Sequence, residues 1–186
     1  MPIRENKKLR LENYDYSLPG WYYVTICTKD RIEYFGQIKN NKMIFNDYGD
    51  IVLNVWNQIP KYYKNVSIDE SILMPNHLHG IIVIGNNAKA IKKSSMLVGT
   101  EQCSVPTHAT IKQKNNYGLL SKIIKSFKEV TVKTIRRNYN DFDFSWQKSY
   151  YDHIIRKEYA LYNIQKYIKE NPLKWESERD NGNFNS

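Results

Sequence analysis

Apolar positions along this chain alternate between two spacings, one suited to strands and one to helices. "WYYVTICT", residues 21–28, is β-branched and aromatic and follows the turn pair Pro19–Gly20, which predicts a strand. "IEYFGQI" (32–38) and "NKMIFN" (41–46) flank an Asn-rich turn at 39–41 and predict a short hairpin. From 46 to 63, Val52, Leu53, Trp56 and Ile59 recur at helical spacing, with Asn46 or Asp47 as the cap. "VSIDESILM" (66–74) and "HLHGIIVI" (77–84) predict two strands joined through Pro75–Asn76. Periodicity then vanishes over 85–116, where Gly, Asn, Ser, Thr and Lys collect, and a mobile loop is expected. It returns at 117–139 as a helix burying Leu120, Ile123, Ile124, Phe127 and Ile135. "FSWQKSYYDHIIR" (144–156) predicts a last strand, 157–171 a closing helix, and 176–186 a flexible tail.

Helices alternating with paired strands, and no internal repeat, predict an α+β fold with a mostly antiparallel sheet. A ferredoxin-like split β-α-β arrangement fits this order best. It places "WYYVTICT" and "HLHGIIVI" at the sheet centre, with the helices packed on one face. At 186 residues the chain is expected to form a single domain over 1–186.

Composition narrows the partners. The formal net charge is +9, from 28 Lys+Arg against 19 Asp+Glu, with a pI near 9.4. Such an excess points to a polyanion, nucleic acid or anionic lipid. No apolar run approaches the ~20 residues that span a bilayer. The start, "MPIRENKKLRLENYDY", lacks the apolar core of a signal peptide, so no membrane partner and a cytoplasmic location are expected. Cys27 and Cys103 are the two cysteines, which excludes a disulfide framework and a cysteine zinc site. The 15 tyrosines can pack, stack on bases or act as nucleophiles.

His77 and His79 carry the candidate chemistry. Two apart on a strand, they share a face, about 7 Å from one another along the chain. There they can converge on a metal or a phosphate; the alternative is a pair of solvated histidines at a strand edge. On the closing helix, Ile164 and Ile168 lie within about 60° of Leu161 and define the buried stripe. Asn171 falls inside that stripe and Tyr167 on its flank, one turn apart. Asn171 either ends the helix before Pro172 or offers its amide oxygen to a metal held by the histidines, beside the Tyr167 phenol.

With these residues in place, the chain resembles the single-tyrosine, His-hydrophobic-His (HUH) transposases, in the branch called REP-associated tyrosine transposases. Five blocks carry the resemblance in family order: "LENYDYSLPGWYYVTICT", "ILMPNHLHGIIVI", "LLSKIIKSFK", "WQKSYYDHIIR" and "YIKENPLKW". The resemblance implies a ferredoxin-like fold and a divalent-metal-dependent endonuclease, with Mg²⁺ or Mn²⁺, acting on single-stranded or hairpin DNA. His77 and His79 match its motif histidines, Asn171 its third polar ligand and Tyr167 its catalytic tyrosine. The reaction implied is DNA transposition: cleavage through a 5′-phosphotyrosine intermediate and rejoining by a second 3′-OH. Monomers and homodimers both occur in the family. Nothing is carried over to residues 85–110, where the match is weakest.

Rival readings come from the same residues. A module of this fold with catalysis lost would bind single-stranded nucleic acid alone. A zinc hydrolase would need a third strong ligand and a base such as Glu70. Tyr150 and Tyr151 fall on a predicted strand where one faces the core, and packing is the reading for that pair. His153, beside Asp152, is the best rival to Asn171 as a ligand, and a structural or DNA-contacting role is expected for it. Helix 117–139 shows Lys122, Lys125, Lys128, Lys133, Arg136 and Arg137 on its polar face. Of these, Lys122, Lys125, Lys128 and Arg136 are the expected phosphate anchors.

Overall fold

A computed structural model describes residues 14–85 and 118–180. Apart from Gly85, the loop expected over 85–116 therefore lies outside the described residues, as does the tail beyond 180. Strand β1 (Gly20–Cys27) leads through a 3₁₀ turn (Lys29–Arg31) to a hairpin of β2 (Gly36–Lys39) and β3 (Lys42–Phe45). Helix α1 (Asp47–Tyr62) follows, then β4 (Val66–Met74), β5 (His77–Ile84), α2 (Leu119–Tyr139), β6 (Tyr151–Ile155) and α3 (Glu158–Asp180).

The four-stranded sheet runs β4-β5-β1-β6, antiparallel throughout. With β5 inserted between β4 and β1, this is the split β-α-β order expected, and β1 and β5 occupy the centre. The hairpin forms a separate two-stranded sheet, closed by Asn40 and Asn41 at φ of 54° and 59°, left-handed conformations that asparagine tolerates. Asn46 caps α1 by accepting a 3.0 Å hydrogen bond from the Gly49 N–H.

Helices α1 and α2 bury their apolar stripes on one face of the sheet. Val52, Trp56 and Ile59 from α1 and Leu120, Ile123, Ile124, Phe127 and Ile135 from α2 pack with Tyr22, Val24, Ile26, Leu78 and Ile82. Helix α3 departs from the expectation that all helices share a face. Its Leu161, Ile164 and Ile168 pack instead with Tyr23, Ile81, Val83 and Ile155, the alternate positions of the strands. The central strands are apolar on both sides, so each face needs a cover.

Two boundaries also differ. The strand expected over 144–156 is confined to Tyr151–Ile155. Before it, Phe144, Trp146 and Tyr150 are buried as a strand pattern requires, yet the segment pairs through an isolated bridge, Trp146 with Thr28 just past β1. Trp146 donates from Nε1 to Thr131 Oγ1 (2.8 Å), tying the segment to α2. The closing helix, expected to stop at Asn171, runs to Asp180. Pro172 removes one backbone N–H but does not end it, and residues 176–180, expected as tail, form its last turns.

Candidate active site

Both histidines rise from the middle of the sheet. His77 stands opposite Cys27 on β1 and Met74 on β4; His79 stands opposite Thr25 and Ile72. They are 6% and 5% exposed, which removes the reading of a solvated strand edge. Their Nε2 atoms lie 3.0 Å apart, with the rings nearly perpendicular at 80°.

The other ring nitrogens are held from behind. His77 Nδ1 sits 2.7 Å from Asn76 Oδ1, while Asn76 Nδ2 donates to the Arg31 carbonyl at 2.9 Å. An amide oxygen only accepts, so His77 Nδ1 carries the proton and Nε2 presents a lone pair. The Arg31 carbonyl comes from the 3₁₀ turn, where Asp30 and Arg31 both take positive φ, 54° and 57°. His79 Nδ1 lies 2.7 Å from Tyr23 Oη and 2.9 Å from Thr25 Oγ1. Hydroxyls donate or accept, so His79 is supported with its lone pair on either nitrogen. Burial drives the histidine pKa values down, to about 3 for His77, where His79 adds to the effect, and about 4 for His79. Both are neutral at physiological pH, the state in which imidazole binds metal.

Helix α3 supplies the opposite wall. The Tyr167 ring packs on His79 at 5.4 Å between centroids, and the Trp175 ring packs on His77 at 5.6 Å. Asn171 lies four residues from each, on the turn between them, and is 6% exposed. It is thus bracketed over the histidine pair. Tyr167 is 39% exposed, open to a substrate, with the Lys174 ammonium 5.0 Å from its ring centre. A bulge in β4 between Ile68 and Ser71 anchors the helix. There Asp69 accepts from Gln165 and Glu70 pairs with Lys169 at 2.9 Å. The Asn41 N–H of the hairpin donates to Glu176 farther along.

Other expected residues lie apart from this cluster. His153 is exposed on β6 opposite Tyr23, and among the described residues no third His, Cys, Asp or Glu joins the histidine pair. Glu70 is engaged with Lys169 rather than presented as a base. Lys122, Lys125 and Arg136 are exposed on α2, across the sheet from the histidines; Lys125 pairs with Glu129 at 3.8 Å, and Arg136 lies over the Phe142 ring. Lys128 donates to the carbonyls of Gln147 (2.7 Å) and Ser149 (2.9 Å), so its charge is spent on the segment before β6. Tyr150 packs in the core, whereas Tyr151 is 48% exposed, so packing accounts for one of that pair. Asn76, Tyr23, Thr25 and Trp175 also belong to the site, and no pattern in the sequence singles them out.

Comparisons with known proteins bear on this site. No family model matches the chain. An uncharacterized protein of Haemophilus influenzae strain Rd is 36% identical over 180 residues, 95% of this chain and 93% of that protein. A solved REP-associated tyrosine transposase bound to a REP hairpin shares the fold at TM-score 0.53, with 14% identity, over 89% of this chain and 74% of that one. A Deinococcus radiodurans R1 structure aligns at TM-score 0.42 and 16% identity over 88% of this chain and 96% of its own. Among the described residues no helix is long and apolar enough to cross a membrane. The chain belongs to one family with the Haemophilus influenzae protein, and its fold is that of the REP-associated tyrosine transposases, the HUH group its five sequence blocks resemble.

Proposed function

We propose that this protein is a metal-dependent DNA transposase of the single-tyrosine HUH type, cleaving and rejoining single-stranded, hairpin-bearing DNA. The observation that carries the reading is the meeting of three groups: two buried Nε2 atoms 3.0 Å apart, and the Tyr167 ring against one of them. Two nitrogens at that separation match adjacent ligands at right angles on a cation at ~2.1 Å. Asn171 is the third donor, through its amide oxygen. A nitrogen and oxygen set without thiolate suits Mg²⁺ or Mn²⁺ better than tightly held structural zinc. When bound, such a cation supplies positive charge against the scissile phosphate.

The chain's own residues do the rest. Asn76 and Tyr23 fix the rings so that both Nε2 atoms point to α3. The Tyr167 phenol loses its proton and its oxygen bonds to phosphorus while the bond from phosphorus to the 3′ oxygen breaks. That leaves a 5′-phosphotyrosine and a free 3′-OH, which takes up a proton. A second 3′-OH reverses the step, displacing Tyr167 and restoring a phosphodiester. Lys122, Lys125 and Arg136, across the sheet, hold phosphates away from the scissile bond, as a hairpin stem requires.

The solved neighbour bound to a REP hairpin supports this choice of substrate. Incubation with hairpin-bearing single-stranded DNA and Mg²⁺ tests it. A covalent adduct on a denaturing gel is the expected result, lost in Tyr167→Phe while DNA binding and melting temperature stay near wild type. An adduct in Tyr167→Phe places the nucleophile elsewhere. Binding without any adduct in the wild type favours the inactive binding module.

A further inference from the structure

The face of the sheet that carries the histidines is covered unevenly. Strand β6 lies at its edge, and there Tyr151 is 48% exposed and His153 is exposed beside it. Tyr151 stands opposite Thr25 on β1, and Thr25 stands opposite His79 on β5. Tyr151 is therefore in the same cross-strand row as His79, two strand spacings or about 10 Å away. Ring contacts run along this row to the tyrosine on α3. Tyr151 meets Tyr23 edge-on at 6.2 Å, Tyr23 stacks near-parallel with His79 at 5.7 Å, and His79 meets Tyr167 at 5.4 Å. The line ends in solvent at Tyr151.

A half-exposed aromatic ring in the row of His79 offers a flat face to a ligand, and its surroundings point to one. Arg156 and Lys157 follow β6 directly, both exposed, so the end of the strand is cationic. Aromatic rings flanked by cations are how proteins hold single-stranded nucleic acid, with bases on the rings and phosphates on the charges. Tyr150, next in sequence, already does the packing, which leaves Tyr151 free of that duty.

We propose that Tyr151 is a stacking platform for an unpaired base adjacent to the scissile phosphate, positioning that phosphate against Tyr167. This rests on the function proposed above. Tyr151 takes no part in bond making; it sets how tightly and in what register the strand is held.

The test uses the full chain and a hairpin oligonucleotide carrying the fluorescent base 2-aminopurine at each position flanking the cleaved phosphate in turn. Wild-type protein should quench the probe at one flanking position. Tyr151→Ala should lose that quenching and raise the half-saturating DNA concentration roughly tenfold, the size of one lost base–ring stack. Its rate of adduct formation at saturating DNA should fall several-fold as well, because the scissile phosphate is no longer held in register against Tyr167. Tyr151→Phe should restore quenching and half-saturation. Tyr62→Ala, equally large and 76% exposed at the end of α1, should match wild type. Unchanged half-saturation and quenching in Tyr151→Ala would overturn the proposal, as would a Tyr151→Phe variant as weak as Tyr151→Ala. If wild-type protein forms no adduct, the function proposed above fails, and quenching with its loss in Tyr151→Ala still decides the platform on binding alone.

Discussion

Replacing Asn76 tests whether the histidine pair is held from behind. In Asn76→Ala, His77 loses the acceptor 2.7 Å from Nδ1, and the Arg31 carbonyl loses its 2.9 Å donor. His77 is 6% exposed, so water does not replace the lost partner. An unsatisfied buried donor costs about 1–3 kcal/mol, and the loosened turn at Asp30–Arg31 adds on the order of 1 kcal/mol. At roughly 2–4 °C per kcal/mol for a chain of this size, the melting temperature should fall by about 5–15 °C. The functional effect is separate. Without Asn76, His77 is free to carry its proton on Nε2, the atom a metal needs, and loss of such a support typically weakens metal affinity ~10–100-fold. The assay is adduct formation titrated with Mn²⁺, alongside melting in chelator and ¹⁵N spectra of the ring nitrogens. Asn76→Asp keeps an acceptor for Nδ1 but loses the donor to Arg31, so it should melt lower while keeping the His77 tautomer. An Asn76→Ala protein with wild-type Mn²⁺ dependence and an unshifted tautomer would refute the reasoning.

His77→Ala and His79→Ala should each abolish the adduct without Mn²⁺ rescue, while DNA binding by gel shift persists. In metal-free protein, stability should fall as pH drops below about 6.5, because the unfolded chain then takes up protons that the buried histidines, with pKa values of about 3 and 4, refuse. Above that pH the contribution is complete, and melting of His77→Gln/His79→Gln should depend less on acid. Affinity for hairpin-bearing DNA should fall steeply with salt, and Lys122→Ala/Lys125→Ala should flatten the log–log slope by ~0.9 for each stem phosphate no longer neutralised. A slope unchanged by that pair would remove α2 from the DNA interface.

Much of this arrangement is legible in the chain. Stripes at helical spacing identify the core residues of α1 and α2, because those helices bury one consistent set of positions, and apolar, β-branched runs bounded by turn residues identify β1, β4 and β5. His77, His79, Tyr167 and Asn171 stand out because each violates an apolar pattern that its neighbours obey. What is not legible depends on partners distant in sequence. Thr25 and Tyr23 are ordinary β1 residues until register sets them beside His79. The face chosen by α3 cannot be read from strands that are apolar on both sides. Trp175 is hidden by the expectation that Pro172 stops the helix, when docking through Gln165 and Lys169 carries it onward. Over 144–150 the alternation is real, but it reports burial against α2, not a ladder.

Strand β5 is buried at all eight positions, His77 to Ile84. Its odd positions serve the face bearing the histidines; its even ones build the core under α1 and α2. Gly80 marks how closely the two halves meet: a Cβ there would lie 2.4 Å from the Trp56 ring, on the side away from the imidazoles. A side chain at this point must push Trp56 aside or bow the strand, and bowing carries His79 with it. Eight consecutive codons thus answer to two independent selections at once, one for folding and one for chemistry. Under the proposed function, lineages that keep the activity have little room to drift here, while the two-stranded hairpin of β2 and β3 is freer to diverge. Divergence within such a family should therefore be measured from β5 as a fixed ruler: a chain altered there has changed its trade.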